Sequence, residues 1–243
     1  MLPNKKTLER VSPTAVVESN LERVLGEDLV LVREKLMACI HSGFPFVDEM
    51  LVENLHQHYP RAIIVLGTTR LGHTTVEKRV ALAAAIEMLH LATYIHSLIP
   101  RGEIVVDENT RTLLGASILI GDYCFSQASA LAAQTNNPAV VAAFADALAQ
   151  LAEGRVLTLL ENPERPYSDD AVLFAAAAEA GALLVGLPRP MRYALREAAA
   201  AFGEVLTDSE TSLAEAIAQL EALLRDRPLA RPLVNWLRSR LPV

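Results

Sequence analysis

Several residues in this chain have types and spacings that chemistry could use. Gly67 is followed, after four residues, by Gly72, His73 and Thr74, one substitution short of a phosphate-cradling loop that ends Gly-Lys-Thr. A look-alike of the acidic strand that accompanies such loops, Ile104-Val105-Val106-Asp107-Glu108, comes later. In that loop a lysine must reach the outer phosphates, and His73 is shorter and mostly neutral at pH 7. The pair is therefore read as a helix-to-helix turn and a loop. Glu87-x-x-His90 has the spacing of half a carboxylate-bridged di-iron site, but such a site needs a second pair and two further glutamates. A buried, hydrogen-bonded pair is the simpler expectation, and His96 is either a satisfied core histidine or one that faces a cavity. Cys39 and Cys124 sit in apolar surroundings typical of inert thiols, and no serine or cysteine triad is recognisable.

The elements that must position these residues read as helices throughout. Leu21, Leu25, Leu29, Val32, Leu36 and Ile40 fall at spacings of three and four, the stripe of a helix from Val16 to about Ile40. Further helices are predicted over Val47–His58, after Pro60, and over Thr75 to about His96, the last apolar on more than one face and so central. After a polar loop through Asp107, Glu108, Asn109 and Thr110, the pattern predicts Leu113 to Gln134, Pro138 to Leu160, Ala171 to Val185, Met191 to Leu206 and Ser212 to Arg225. Ser168-Asp169-Asp170 reads as a helix start rather than a relocated metal site. Asp122, in mid-helix, is expected to be a buried polar anchor. Arg225, Arg227, Arg231, Arg238 and Arg240 with Trp236 read as a solvated charged end, with docking of a partner or an anionic membrane surface as the alternative.

Composition narrows the class. Of 243 residues, 51% are apolar and 21% charged, which suits a folded domain. Acidic residues outnumber basic ones by 29 to 22, which argues against a nucleic-acid partner bound through bulk positive charge. Two separated cysteines form neither a disulfide framework nor a zinc cluster, and a reducing cytoplasm fits. No transmembrane segment or secretion signal is expected. The fold class read from this is all-α, one helical domain over 1–243, with a short arm at about 1–14 and an arginine-rich end at about 225–243.

A larger pattern resembles the trans-isoprenyl diphosphate synthases, or polyprenyl synthetases. Ala85, Glu87, His90, Ala92 and His96 stand in the order of that family's A-x-E-x-x-H-x-A-x-x-x-H helix. Ile120-Gly121-Asp122-Tyr123-Cys124-Phe125-Ser126-Gln127-Ala128 is similar to V-G-D-x-L-F-x-x-A. Asn137-Pro138-Ala139-Val140 and Glu153-Gly154-Arg155 resemble its G-N-P-E-V turn and E-G-E ending, and EAGALLVGLPRPMRYALREAAAAFG looks like its C-x-L-G-A-L-x-x-G-L segment and the helix that follows. The resemblance covers residues 15 to 210 or so. It implies an isoprenoid-synthase-type bundle of roughly ten mostly antiparallel helices. In active members, two aspartate-rich motifs hold Mg²⁺ on an allylic diphosphate across a central cavity, and isopentenyl diphosphate captures the carbocation.

This chain departs from that pattern where charge is needed. After His96 come Ser97, Leu98, Ile99, Pro100 and Arg101 in place of the first D-D-x-x-D. Of the basic segment that grips diphosphate, Arg61 is the one plausible remnant. The loop at Gly102 to Asn109 is shortened, the lysine-threonine pair is not visible near Val172 to Ala176, and the second motif is reduced to a segment with Asp208 and Ser209. Glu87, His90, Ala92, Thr93 and His96 remain as cavity candidates, Ala92 and Thr93 occupying places that set product length in active relatives or serving as packing. No catalytic residue, metal site or cofactor is expected for this chain alone. The resemblance implies a non-catalytic accessory or regulatory subunit of a heteromeric prenyl diphosphate synthase, partnered by a catalytic subunit in a heterodimer or heterotetramer, or by itself as a homodimer. The alternatives are a divergent synthase using ligands such as Asp107, Glu108 and Asp208, or a stand-alone binder of an isoprenoid or other apolar ligand.

Overall fold

The computed structural model describes residues 20–40, 48–49, 51–52, 59–98, 108–159, 167–205, 211–226 and 231–239. Among them are nine helices and no strand. Three helices form the centre. In α2 (Pro60–Thr69) every residue from Arg61 to Thr69 is buried, and in α3 (Val76–Ser97) so is every residue from Val80 to Leu89. In α6 (Asp169–Leu184) the buried run is Leu173 to Ala178 and Ala180 to Ala182. Side chains apolar around the whole circumference have no face to offer water, so these helices are covered on all sides. Small residues set how closely they approach: a Cβ on Gly181 would stand 3.2 Å from the Thr68 side chain. α3 is long and apolar enough to cross a membrane, but 78% of its most apolar window is buried by the rest of the bundle.

The outer helices lay stripes onto this centre. α1 (Asn20–Ile40) buries Leu21, Leu25, Val32, Leu36 and Ile40, each worth about 1.5–3 kcal/mol relative to exposure. Asp28 lies in the same stripe, only 3% exposed. Arg79 donates to it from Nε at 2.8 Å and Nη2 at 2.9 Å, and Arg70 adds Nη2 at 2.8 Å. α4 (Glu108–Ala133) packs on α3, and α5 (Pro138–Leu159) on α6. Proline suits the first turn of α5, where Asn137 Oδ1 accepts the Ala139 N–H at 3.0 Å.

α6 turns back through Gly186 at φ 66°, where glycine avoids Cβ strain, and Leu187 N–H closes on Ala182 O at 2.9 Å. The helix that follows, α7 (Arg189–Val205), packs against α6 and against α8 (Thr211–Leu224).

Expectation and structure differ at the start of α4 and in the arginine-rich end, and one expected helix is described only in part. Glu108, Asn109 and Thr110 form the first turn of α4 rather than a loop, a polar run that reads equally well as a helix start. Of the helix predicted over Val47–His58, Asp48, Glu49, Leu51 and Val52 are helical and the remainder lies outside the described residues. Part of the arginine-rich end, expected to be solvated, is a ninth helix, α9 (Arg231–Arg238), that buries Leu233, Val234, Trp236 and Leu237. Its arginines flank an apolar face with i, i+3 and i+4 spacing, which holds it on the bundle.

Candidate functional site

A second group of buried and partly buried charges gathers where α2, α3, α5 and α6 meet. Tyr59, at φ 41°, turns the chain into α2, and Pro60 starts the helix, so Arg61 falls in its first turn. The first N–H groups of a helix lack intrahelical acceptors. Glu87 of α3 supplies one, its Oε1 accepting the Ala62 N–H at 2.8 Å. Its other oxygen lies 3.9 Å from Arg61 Nη1. Burial pushes the Glu87 carboxyl above its ordinary value, against the opposing pull of Arg61 and of the α2 N–H groups.

Arg61 itself is buried, with its guanidinium carbon 5.0 Å from the centroid of the Phe174 ring, and Nη2 donates to Asp170. Asp169 and Asp170 occupy the first turn of α6, as a helix start should, and Ser168 Oγ accepts the Ala171 N–H at 3.2 Å. Arg155, near the end of α5, donates to Asp169 and reaches Thr93 O of α3 at 3.3 Å. Gly154 makes that approach possible, because a Cβ there would fall 1.9 Å from the Tyr167 ring. The Tyr167 hydroxyl donates to Leu151 O at 3.3 Å, and burial, reinforced by the neighbouring Asp169, pushes its pKa well above the ordinary tyrosine value. On the other side, a Cβ on Gly203 would meet Asp170 O and Ala171 N at 2.6 Å, so α7 lies directly on the head of α6.

The remaining predicted residues fall along α3. Ala92 and Thr93 are buried, and the Thr93 hydroxyl donates to Leu89 O at 2.7 Å and sits 3.0 Å from His90 O. His90 lies beside Tyr94, with ring centroids 6.4 Å apart. His96 points away from this cluster, stacking on Phe125 at 5.2 Å with Nε2 3.4 Å from Asp122 Oδ1. Gly121 gives it room, since a Cβ there would lie 2.4 Å from Nε2. Asp122 is therefore not the buried anchor expected. Its side chain is 63% exposed, because α4 is apolar on its outward side too and hydropathy alone does not mark which side is buried. Ser97 is exposed, its hydroxyl donating to Tyr94 O at 2.6 Å, and Leu98 is 47% exposed. Arg101, Asp107, Asp208 and Ser209 lie outside the described residues.

Sequence reasoning named Glu87 and Arg61 but not their connection to Asp169, Asp170 and Arg155. The helix-start carboxylates were legible; their partners, brought in by tertiary packing, were not. The phosphate-loop look-alike has no cradle. Gly67 lies in α2, with a Cβ position 2.9 Å from Leu233, and that of Gly72 is 2.8 Å from Val185 Cβ, so both glycines serve close packing. The thiol of Cys124 is pushed up to about 12 by burial, and that of Cys39 is also raised, in keeping with inert cysteines.

The family model for polyprenyl synthetase matches residues 48–206, which takes in α2 through α7 and all of this cluster. The chain belongs to the polyprenyl synthetase family. It is 26% identical over 200 residues to an octaprenyl diphosphate synthase of Haemophilus influenzae, covering 73% of this chain and 59% of that protein. It is 24% identical over 188 residues to heptaprenyl diphosphate synthase component 2 of Geobacillus stearothermophilus, covering 69% and 57%. The chain thus spans less than two thirds of these curated relatives. A polyprenyl synthase from Caulobacter crescentus, solved with calcium and isoprenyl diphosphate, superposes with a TM-score of 0.65 at 25% identity, covering 90% of this chain and 77% of that one. The geranyl diphosphate synthase small subunit of Antirrhinum majus shares the fold, with a TM-score of 0.66 at 17% identity and coverage of 90% and 99%.

Members of this family typically depend on Mg²⁺, an ion that demands an octahedron of oxygen donors. The described residues do not fit such a site. The buried carboxylates Asp28 and Glu87, and Asp169 and Asp170 at the head of α6, are each engaged by an arginine or a helix N–H, and α3 ends in a hydroxyl and an alkyl side chain. Among the described residues no three His, Cys, Asp or Glu side chains gather as metal ligands.

Proposed function

We propose that this chain is a non-catalytic accessory or regulatory subunit of a heteromeric prenyl diphosphate synthase. The observation that carries the reading is the end of α3. There the Thr93 carbonyl takes Arg155, the Ser97 hydroxyl turns back to Tyr94 O, and Leu98 offers no oxygen on its side chain. A metal clamp on a leaving diphosphate supplies several kcal/mol of transition-state stabilisation, and each 1.36 kcal/mol is tenfold in rate. A chain without one transfers prenyl groups slower by orders of magnitude.

Two further features support a partner. One relative is by name a component of a synthase, and one protein of the same fold is by name a small subunit. On the molecule, α4 exposes Ile118 and Leu119, the latter to 71%, and neighbouring α5 exposes Val141 and Val156. Such outward apolar side chains suit a subunit interface. The partner is a catalytic synthase subunit or, for the isolated chain, a second copy.

The test is a prenyl-transfer assay with Mg²⁺ on this chain, on a partner recovered by co-purification, and on the two mixed. Activity or a changed product length confined to the mixture is the expected result. Turnover by this chain alone overturns the reading in favour of a divergent enzyme. Absence of both partner and turnover favours a stand-alone binder of an apolar ligand.

A further inference from the structure

We infer that Arg61 and Arg155 are resident counter-ions, which hold the bundle's interior closed where a divalent cation and a diphosphate would otherwise bridge its helices. This deepens the accessory-subunit reading and rests on it for its meaning. Arg155 joins α5 to the head of α6 through Asp169 and to α3 through Thr93 O, while Arg61 joins α2 to α6 through Asp170 and lies close to Glu87 of α3. Two guanidinium groups thus connect four helices, the office that charge bridging performs in a metal-dependent bundle.

Geometry keeps them there. Arg61 has a side chain 5% exposed and packed over Phe174, so it has no route to solvent without opening the core. The Tyr167 ring on Gly154 fixes the backbone that carries Arg155. Gly203 brings α7 against Asp170 and Ala171, so the first turn of α6 is fixed from the opposite side. A cation that displaced the arginines from Asp169 and Asp170 would leave Arg155 without a counter-ion and Arg61 with Glu87 alone, 3.9 Å away, a loss that its own binding must exceed. Pyrophosphate is the sharpest challenger, because Arg61 Nε and Arg155 Nε are buried donors with no hydrogen-bond partner among the described residues.

The test is thermal unfolding of the full chain with MgCl₂, with inorganic pyrophosphate and with both. A ligand at a hundredfold excess over its dissociation constant raises the midpoint of a protein this size by about 5 °C or more. The expected result is no rise under any of the three conditions. A second measurement reads the brace itself: Arg155→Asp and Asp169→Arg each lower the midpoint, and the charge-swapped double variant recovers most of the loss. The inference is overturned by a midpoint rise in the wild type that Asp169→Asn abolishes, or by a double variant as unstable as the two single losses combined. If a single variant does not fold, the double variant still decides. A metal response here leaves the outcome of the mixing assay untouched, and a mixture without activity leaves the brace standing.

Discussion

Two ion clusters hold this bundle together, and they solve opposite problems. At the outer cluster one carboxylate, Asp28, serves two cations, with Arg79 presenting a two-pronged fork and Arg70 a third bond. At the inner cluster two arginines face three carboxyl groups, those of Glu87, Asp169 and Asp170. Burial drives the carboxyl of the deepest of these acids, Glu87, upward, against the pull of Arg61. The outer cluster therefore gives one acid two cations, whereas the inner one holds more acids than cations, with the carboxyl of its most buried acid raised by burial. Removing a carboxylate should matter very differently in the two places.

The largest effect expected is from Asp28→Ala. It strands Arg79, whose side chain is 14% exposed, and should cost about 3–5 kcal/mol in urea unfolding. A loss below 1 kcal/mol would remove the distinction between the clusters. Next is Gly203→Ala, which sets a methyl 2.6 Å from the α6 backbone and should cost about 1–3 kcal/mol, felt at the inner cluster alone.

Glu87→Gln should cost only about 1 kcal/mol, since its amide oxygen can still accept the Ala62 N–H. Its signature lies in the pH dependence. A carboxyl raised in the folded state binds its proton more tightly there than in the unfolded chain, so its favourable contribution is complete below the ordinary glutamate value and is lost as pH rises through the folded value. Across that window the variant should gain on the wild type as pH rises, and the opposite slope would show a Glu87 stabilised as an anion. The smallest effect belongs to Arg70→Gln. Its side chain is 39% exposed, and losing its bond to Asp28 should cost about 0.2–1 kcal/mol, diminishing with added salt.

The sequence made the scaffold more legible than the wiring. Helix bounds for α3, α5, α6 and α8, and the end of α1, could be read from stripes, prolines and caps, because those signals are local. The stripe of α9 was hidden by the arginines around it: Arg225, Arg231 and Arg238 are exposed as expected, whereas Trp236, read with them as solvated, is buried. The outward side of α4 defeated orientation by hydropathy, since Leu119 and Ile118 are as apolar as what lies beneath them. The inner cluster was half legible. Glu87 and Arg61 drew attention by type and by resemblance, while the contact of Arg61 with Asp170 spans 109 positions and is made only when α2 and α6 pack together.

Trp236 is the one tryptophan in the chain, and it ends a file of rings that starts at the inner cluster: Arg61 over Phe174, Phe174 edge-on to Phe202 at 4.9 Å, Phe202 beside Trp236 at 5.3 Å. The protein therefore carries its own optical gauge. Emission from a single indole sealed at 2% exposure reports whether the last helix is seated, with no label to attach and no second fluorophore of its kind to subtract. A red shift that precedes the loss of helical circular dichroism would time the undocking of α9 separately from the melting of the bundle.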